Sequence, residues 1–370
     1  MSATPTGTTA FFDFDEPWQV KGDGPRLRAV RAAAEGFRKR FGSGSRVVCA
    51  RTLPLSTLPY PTRYAFNGAA ASPVPIVTLT HRCLLVQFLQ GSAVKTLLFN
   101  PTDIVAARAT PFFMRLAESV PPQLESLLVT RFDPLETQLA RFGLVAEDID
   151  YVAFDHFHTQ DLRGLLGTED GARKARFPNA TLLARKNEWD DWDDLHPMQR
   201  AWFVQHGKRG VARSRIAFVD GDLKLGDGLL LVRTPGHTSG NQTLFLNTQD
   251  GIWGVSECGT SADNWTPLDS KIPGLASTCR RYDVDVVLNS NTPEHAAQQY
   301  TSMVLERTLV DRVRRAPAFV QMFPSSEVTK SVLAPGLSPT LVHGAITSGA
   351  PVRPPRRTAR YETTEARTVS

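Results

Sequence analysis

In the stretch DHFHTQDLRGLLG, Asp155 to Gly167, two histidines stand one residue apart and a carboxylate follows at Asp161. On an extended segment residues i and i+2 project to the same side, so His156 and His158 can reach one ion, and neutral imidazoles bind zinc-type cations well. By itself the pair is equally well read as two histidines hydrogen-bonding in a loop. A third histidine separates the two readings. In TPGHTSGNQTLFL an apolar run ends at Arg233, a Pro-Gly turn follows, and His237 sits at its tip before the next apolar run. Three histidines that leave a position for water suit a catalytic ion, whereas structural zinc sites are closed and cysteine-rich.

Such residues need a frame that delivers them to one place. Tyr151 to Phe154 is a short apolar run of buried-strand type, so the first histidines begin where a strand stops, a common place for chemistry in open sheets. Ahead of it, Pro25 to Phe41 carries apolar residues at helical spacing, and Val74–Leu79, Cys83–Leu89 and Val94–Phe99 read as adjacent antiparallel strands with breaks at HR and QGSA. A helical region from Phe112 to Leu128 holds Pro121-Pro122, and DPLETQLARFG is a short helix ending at Gly143. Beyond the histidines come a strand at Thr181–Ala184 and a Trp-rich acidic helix from Asn187 to His206. Strands at Ile216–Val219, Leu229–Arg233, Thr243–Leu246, Ile252–Val255 and Val284–Leu288 follow. Strands in two batches, each followed by helices, suit two packed sheets with helices outside.

A chain of 370 residues that is 41% hydrophobic and 21% charged can bury a sizeable globular core. No run approaches the ~20 apolar residues of a membrane span and the start lacks a secretory pattern, so the expectation is a soluble, cytoplasmic protein with no membrane partner. The four cysteines, Cys49, Cys83, Cys258 and Cys279, are scattered and read as reduced thiols. Of the net charge of +5, the five arginines and two glutamates from Val352 to Ser370 supply +3, leaving a nearly neutral body for which nucleic acid is not the expected partner. The resulting division is a flexible N-terminal arm over 1–24, one domain over 25–320, an extension packing on it over 321–351, and a disordered basic tail over 352–370. The segment FVQMFPSSEVTKSVLAPGL reads as a lid, a dimer contact or packing, so a homodimer stays open.

Four stretches in order resemble the metallo-β-lactamase fold superfamily, in its lactonase-like branch: LARFGLVAEDIDYVAFDHFHTQDLRG, FPNATLLARKNEWDDW, GDLKLGDGLLLVRTPGHTSGNQTLFL and GIWGVSECG, within about Val74 to Asn291. The resemblance implies an α/β fold, an αββα sandwich of two mixed β-sheets with helices on both outer faces. It also implies a metal site at one sheet edge for one or two ions, zinc first, with iron or manganese as alternatives. Carried over by position, His156, His158 and His237 match the first site, and Glu257 matches the bridging aspartate. The second site departs from the pattern. Gln160 and Asp161 stand where the family has Asp then His, Asn291 stands for its last histidine, and Asn100 for a core aspartate after the third strand. Gln160 is a neutral donor and a poor base, which leaves Asp161 as the expected catalytic carboxylate and a further metal ligand. His295 lies four residues past Asn291, and His81, His196, His206 and His343 have no convergent partners in sequence. Cys258 reads as a small core residue.

These residues imply a metal-dependent hydrolase acting on an ester, lactone or amide-like small molecule, with no organic cofactor. The rival readings are a mononuclear iron oxidoreductase on the same fold and a non-catalytic binding protein.

Overall fold

The structure, a computed structural model, describes residues 7–119 and 128–355. Its strands in chain order are β1 (Thr9–Phe11), β2 (Cys49–Pro61), β3 (Ile76–Gln90), β4 (Ala93–Phe99), β5 (Tyr151–Ala153), β6 (Thr181–Arg185), β7 (Ile216–Val219) and β8 (Asp222–Gly226). They continue as β9 (Leu229–Arg233), β10 (Gln242–Thr248), β11 (Gly251–Ser256), β12 (Arg312–Val313), β13 (Ala316–Val320), β14 (Met322–Pro324), β15 (Ser326–Thr329) and β16 (Thr347–Gly349). One mixed sheet runs β1-β8-β9-β10-β11-β14. The other runs β16-β2-β3-β4-β5-β6-β7, with β15 pairing on β3.

Both sheets are buried on both faces, and the period of two along each strand sends successive side chains into different cores. Leu229 and Leu231 enter the layer between the sheets with Leu84, Val86, Leu97 and Phe99. Leu230 and Val232 face the opposite way, into the layer where helix Asp23–Gly42 packs on helix Ala296–Leu309. In the other sheet Leu98, Val152 and Leu182 face outward to a third core with Leu139, Leu162 and Leu165. Helix, sheet, sheet, helix is therefore the layer order, the αββα sandwich expected from the sequence.

Several local expectations differ. β3 is continuous through His81-Arg82, because β2, a strand not anticipated, pairs along its whole length with one bulge between Pro54 and Ser56. The helix expected from Asn187 to His206 stops after Lys186–Asp191. Pro197 disfavours helix for the residue before it, and Trp202 turns to stack on Phe112 at 4.1 Å between ring centroids. Val286, Val287 and Leu288 are buried but form no strand, since the Val287 N–H bonds the Asn264 carbonyl and the Asn289 N–H that of Cys258.

The ends also differ from expectation. Residues 7–24 of the arm are built in: β1 pairs with β8, and Phe14 is fully buried beside Phe11 and Phe37. The extension supplies β14 to one sheet and β15 and β16 to the other, so it is part of the sandwich rather than a cover for it. Gln87 clasps the N–H and carbonyl of Val352, which fixes the first residue of the expected tail; residues 356–370 lie outside the described residues, as do 1–6 and Pro121-Pro122.

Candidate metal centre

β5 lies between β4 and β6 in a run of four parallel strands that ends at β7, and the chain leaves it through Phe154 and Asp155 into the histidine loop. Gln242, opening β10 in the other sheet, bonds the Asp155 carbonyl through its N–H and the Phe154 carbonyl through its side chain, each at 2.8 Å. The loop is thus stitched to the facing sheet edge, where His237 arrives after β9. Its turn needs Gly236: φ is +131°, and a Cβ there would lie 2.1 Å from the backbone nitrogen of Gln299. Helix Ala296–Leu309 presses on the turn that closely.

His156, His158 and His237 come together with ligand nitrogens all within 4.8 Å of one another, and each ring is buried. Each has a different environment. Asp155 accepts from His156 Nδ1 at 2.7 Å, which leaves Nε2 as the nitrogen available to a cation. Burial disfavours charge on both partners, yet their mutual attraction holds the Asp155 carboxyl below its ordinary range and the His156 imidazole above its own. Asn100, in a left-handed conformation at the end of β4, and Ser325 both bond Asp155 Oδ2 at 2.8 Å.

His158 Nε2 meets Gln199 Oε1 at 2.5 Å, and its Nδ1 is buried with no hydrogen-bond partner among the described residues. Burial first, and the neighbouring His156 second, push His158 well below the usual imidazole range. The same two causes lower His237 to about 3, against a weaker pull from Asp155 and the Asn289 carbonyl. Two of three clustered imidazoles therefore offer lone pairs at neutral pH, and a buried lone pair with no donor costs free energy that a cation would remove. The residues fit a divalent ion.

The histidines close the inner end of a cavity of about 150 Å³. Its outer walls are apolar, with Leu58, Leu79, Ile104, Phe113, Leu116 and Val129, and Arg108 and Arg131 also line it. Trp202, on the wall, lies 6.0 Å from the His158 ring.

No family model matches the chain. A solved probable metal-dependent hydrolase from Staphylococcus aureus superposes with a TM-score of 0.51 at 14% identity, over 70% of this chain and 84% of that one. The chain has the metallo-β-lactamase fold. An N-acyl homoserine lactonase of Bacillus thuringiensis is 24% identical over 121 residues, 33% of this chain; the chain spans 42% of the length of that relative.

Within the metallo-β-lactamase fold the residues expected at the second site are placed unevenly. Asp161 is not brought to the histidines. It caps helix Leu162–Leu166 by accepting from the Arg163 N–H at 3.1 Å, and its two oxygens bind the Arg163 guanidinium at 2.9 and 2.6 Å, with Arg173 at 3.6 Å. Asp161 is thus committed to that fork and lies outside both the histidine cluster and the cavity lining, which corrects its expected role as ligand and general base. Gln160 does line the cavity, donating to Thr102 and to the His158 carbonyl, each at 3.1 Å. Asn291 lines it too, while His295 is exposed.

Glu257, just after β11, lines the cavity outside the tight nitrogen cluster. Oε2 accepts from the Ser326 N–H at 2.9 Å, and burial, reinforced by the Asp155 charge, raises its carboxyl to about 8. Cys258 is fully buried, as expected of a core residue. Sequence reasoning passed over His81, which lines the cavity from β3 with Nδ1 bonded to Ser326 and Nε2 to Thr102, each at 2.8 Å. Both ring nitrogens are spent, so it supports the wall rather than holding an ion. Asp155 was also passed over, though it stands next to His156. Neighbours on a strand point to opposite faces, and only the turn after β5 brings this pair together.

Proposed function

We propose that the protein is a metal-dependent hydrolase of an ester, lactone or amide-like bond in a small molecule, with His156, His158 and His237 as its metal ligands. The observation that carries this reading is the convergence of three buried imidazoles, two of them (His158 and His237) with an unpartnered Nδ1, at the closed end of a cavity with apolar walls. A divalent ion held there, zinc first and iron or manganese as alternatives, supplies Lewis acidity and makes hydroxide available near neutral pH, with the pKa of water lowered towards ~7.

The chain's own residues then have defined tasks. Asp155 orients His156 and keeps its Nε2 turned to the ion. Glu257 replaces Asp161 as the cavity carboxyl: Oε2 is tied to Ser326, which leaves Oε1 to hold a proton or accept from a substrate donor. The apolar walls bind the non-reacting part of the substrate and exclude water. The likeness of 121 residues to a lactonase puts lactones first among the substrates to try.

A panel of lactones, carboxylic esters and thioesters, assayed with zinc-, iron- and manganese-loaded protein, tests the reading. Hydrolysis of at least one class, abolished by chelation and restored by metal, is expected. Loaded protein that hydrolyses none of them while consuming oxygen would replace the hydrolase with the iron oxidoreductase.

A further inference from the structure

His158 can present Nδ1 to an ion only if its single neutral-state proton sits on Nε2, and nothing within the histidine loop decides that. The decision comes from two remote segments. Gln199, in the turn following His196, places Oε1 2.5 Å from His158 Nε2, and its Nε2 donates to Glu294 Oε1 at 2.5 Å and to the His237 carbonyl at 3.5 Å. Glu294 reaches in from the 3-10 turn Pro293–His295, ahead of helix Ala296–Leu309.

The two ends of a glutamine amide are chemically different: NH2 only donates, and the oxygen only accepts. Glu294 Oε1 and the His237 carbonyl are both acceptors, so the NH2 end must face them. The amide oxygen must then face the ring, and an oxygen there requires a proton on His158 Nε2. The flipped amide would set its oxygen against two acceptors and its NH2 against the ring. Gln199 is nine-tenths buried, and Glu294 Oε2 is buried without a partner among the described residues, a cost that simple packing would not retain.

We propose that Glu294, acting through Gln199, is a positioning residue that locks His158 in its Nε2–H tautomer and so reserves Nδ1 for the metal. The inference deepens the metal-centre reading and rests on it for its purpose, though not for its geometry. Where His156 has a carboxylate directly on its ring, His158 has the carboxylate one amide removed. Its tautomer is fixed while the group touching the ring stays neutral.

The test reads the imidazole 15N resonances of His158 in metal-free protein, assigned by their loss in His158→Ala, and zinc affinity by titration calorimetry. The parent should show a protonated Nε2 and a bare Nδ1. Glu294→Ala should show both tautomers and weaker zinc binding by about 10–100-fold, the usual effect of removing such an outer partner. The double exchange Gln199→Glu with Glu294→Gln keeps an oxygen facing the ring and an NH2 behind it, and should restore both readouts, which a merely structural loss would not allow. A proton on Nδ1 in the parent, an unchanged tautomer and affinity in Glu294→Ala, or no rescue by the double exchange would each overturn the proposal. The tautomer is measured without metal or substrate, so failure of every ester to react overturns the hydrolase reading and leaves this result standing.

Discussion

Asp155 holds the ring of His156 from the adjacent position, while Gln199 holds that of His158 from 41 residues further along the chain. The histidines were legible because HFH and the Pro-Gly-His turn carry their own spacing. Ser325, Gln199 and Glu294 were not, because Ser325 reaches Asp155, Gln199 reaches His158 and Glu294 reaches Gln199 from separate segments that no local pattern links, and Asn100 stood out only as a departure from the family pattern, not as the partner of Asp155. Asp161 shows the converse. Its position beside Gln160 suggested a substitute base, but Arg163, two residues on, claims it. Asp161→Ala should therefore lower stability by about 0.5–2 kcal/mol, as a lost helix cap does, and change turnover far less than the ~10²–10⁴-fold expected of a general base. Asp155→Asn should behave in the opposite way, weakening metal binding about 10–100-fold in a protein that stays folded. Denaturation curves and metal titrations on the two variants check both; a large turnover loss in Asp161→Ala would return it to the site.

At the scale of elements, strands were read well where apolar runs were bounded by turns, as at β5 to β7 and β9 to β11. The reading failed where contacts along the chain do not decide. β3 crosses a polar pair because β2 and β15 supply its hydrogen bonds, and Val286–Leu288 has strand composition with no strand beside it. The His237 turn is set by such a long-range contact. Gly236→Ala would force a Cβ into the backbone of helix Ala296–Leu309, 2.5 Å from the Gln299 Cα, and has no flexible side chain to push aside. It should cost about 1–3 kcal/mol for overpacking and weaken metal binding by displacing His237. Gly221→Ala is the control, since its φ of +77° brings left-handed strain but nothing lies within 4 Å. It should leave metal affinity unchanged, and equal affinities for the two variants would remove the link between helix and ligand.

On the scale of the whole molecule, three cores separate the four layers, and their apolar residues reach every strand that bears a site residue. No helix among the described residues is long and apolar enough to cross a membrane. The sandwich has enough buried apolar surface to stand without an ion, unlike a zinc finger, whose folding is metal binding. Neutral Gln160 and Asn291, with Asp161 turned away, also leave Glu257 as the one carboxyl among the residues expected at a second site, too few donors for a second tightly held ion. Elemental analysis of the purified chain, before and after chelation and alongside His237→Ala, tests the three-histidine centre most directly. The account predicts about one divalent ion per chain, as for a single three-histidine site, none in the chelated protein or the variant, and a cooperative thermal transition in all three. Stoichiometric binding of a second ion, full retention of metal by His237→Ala, or loss of the cooperative transition on chelation would contradict it.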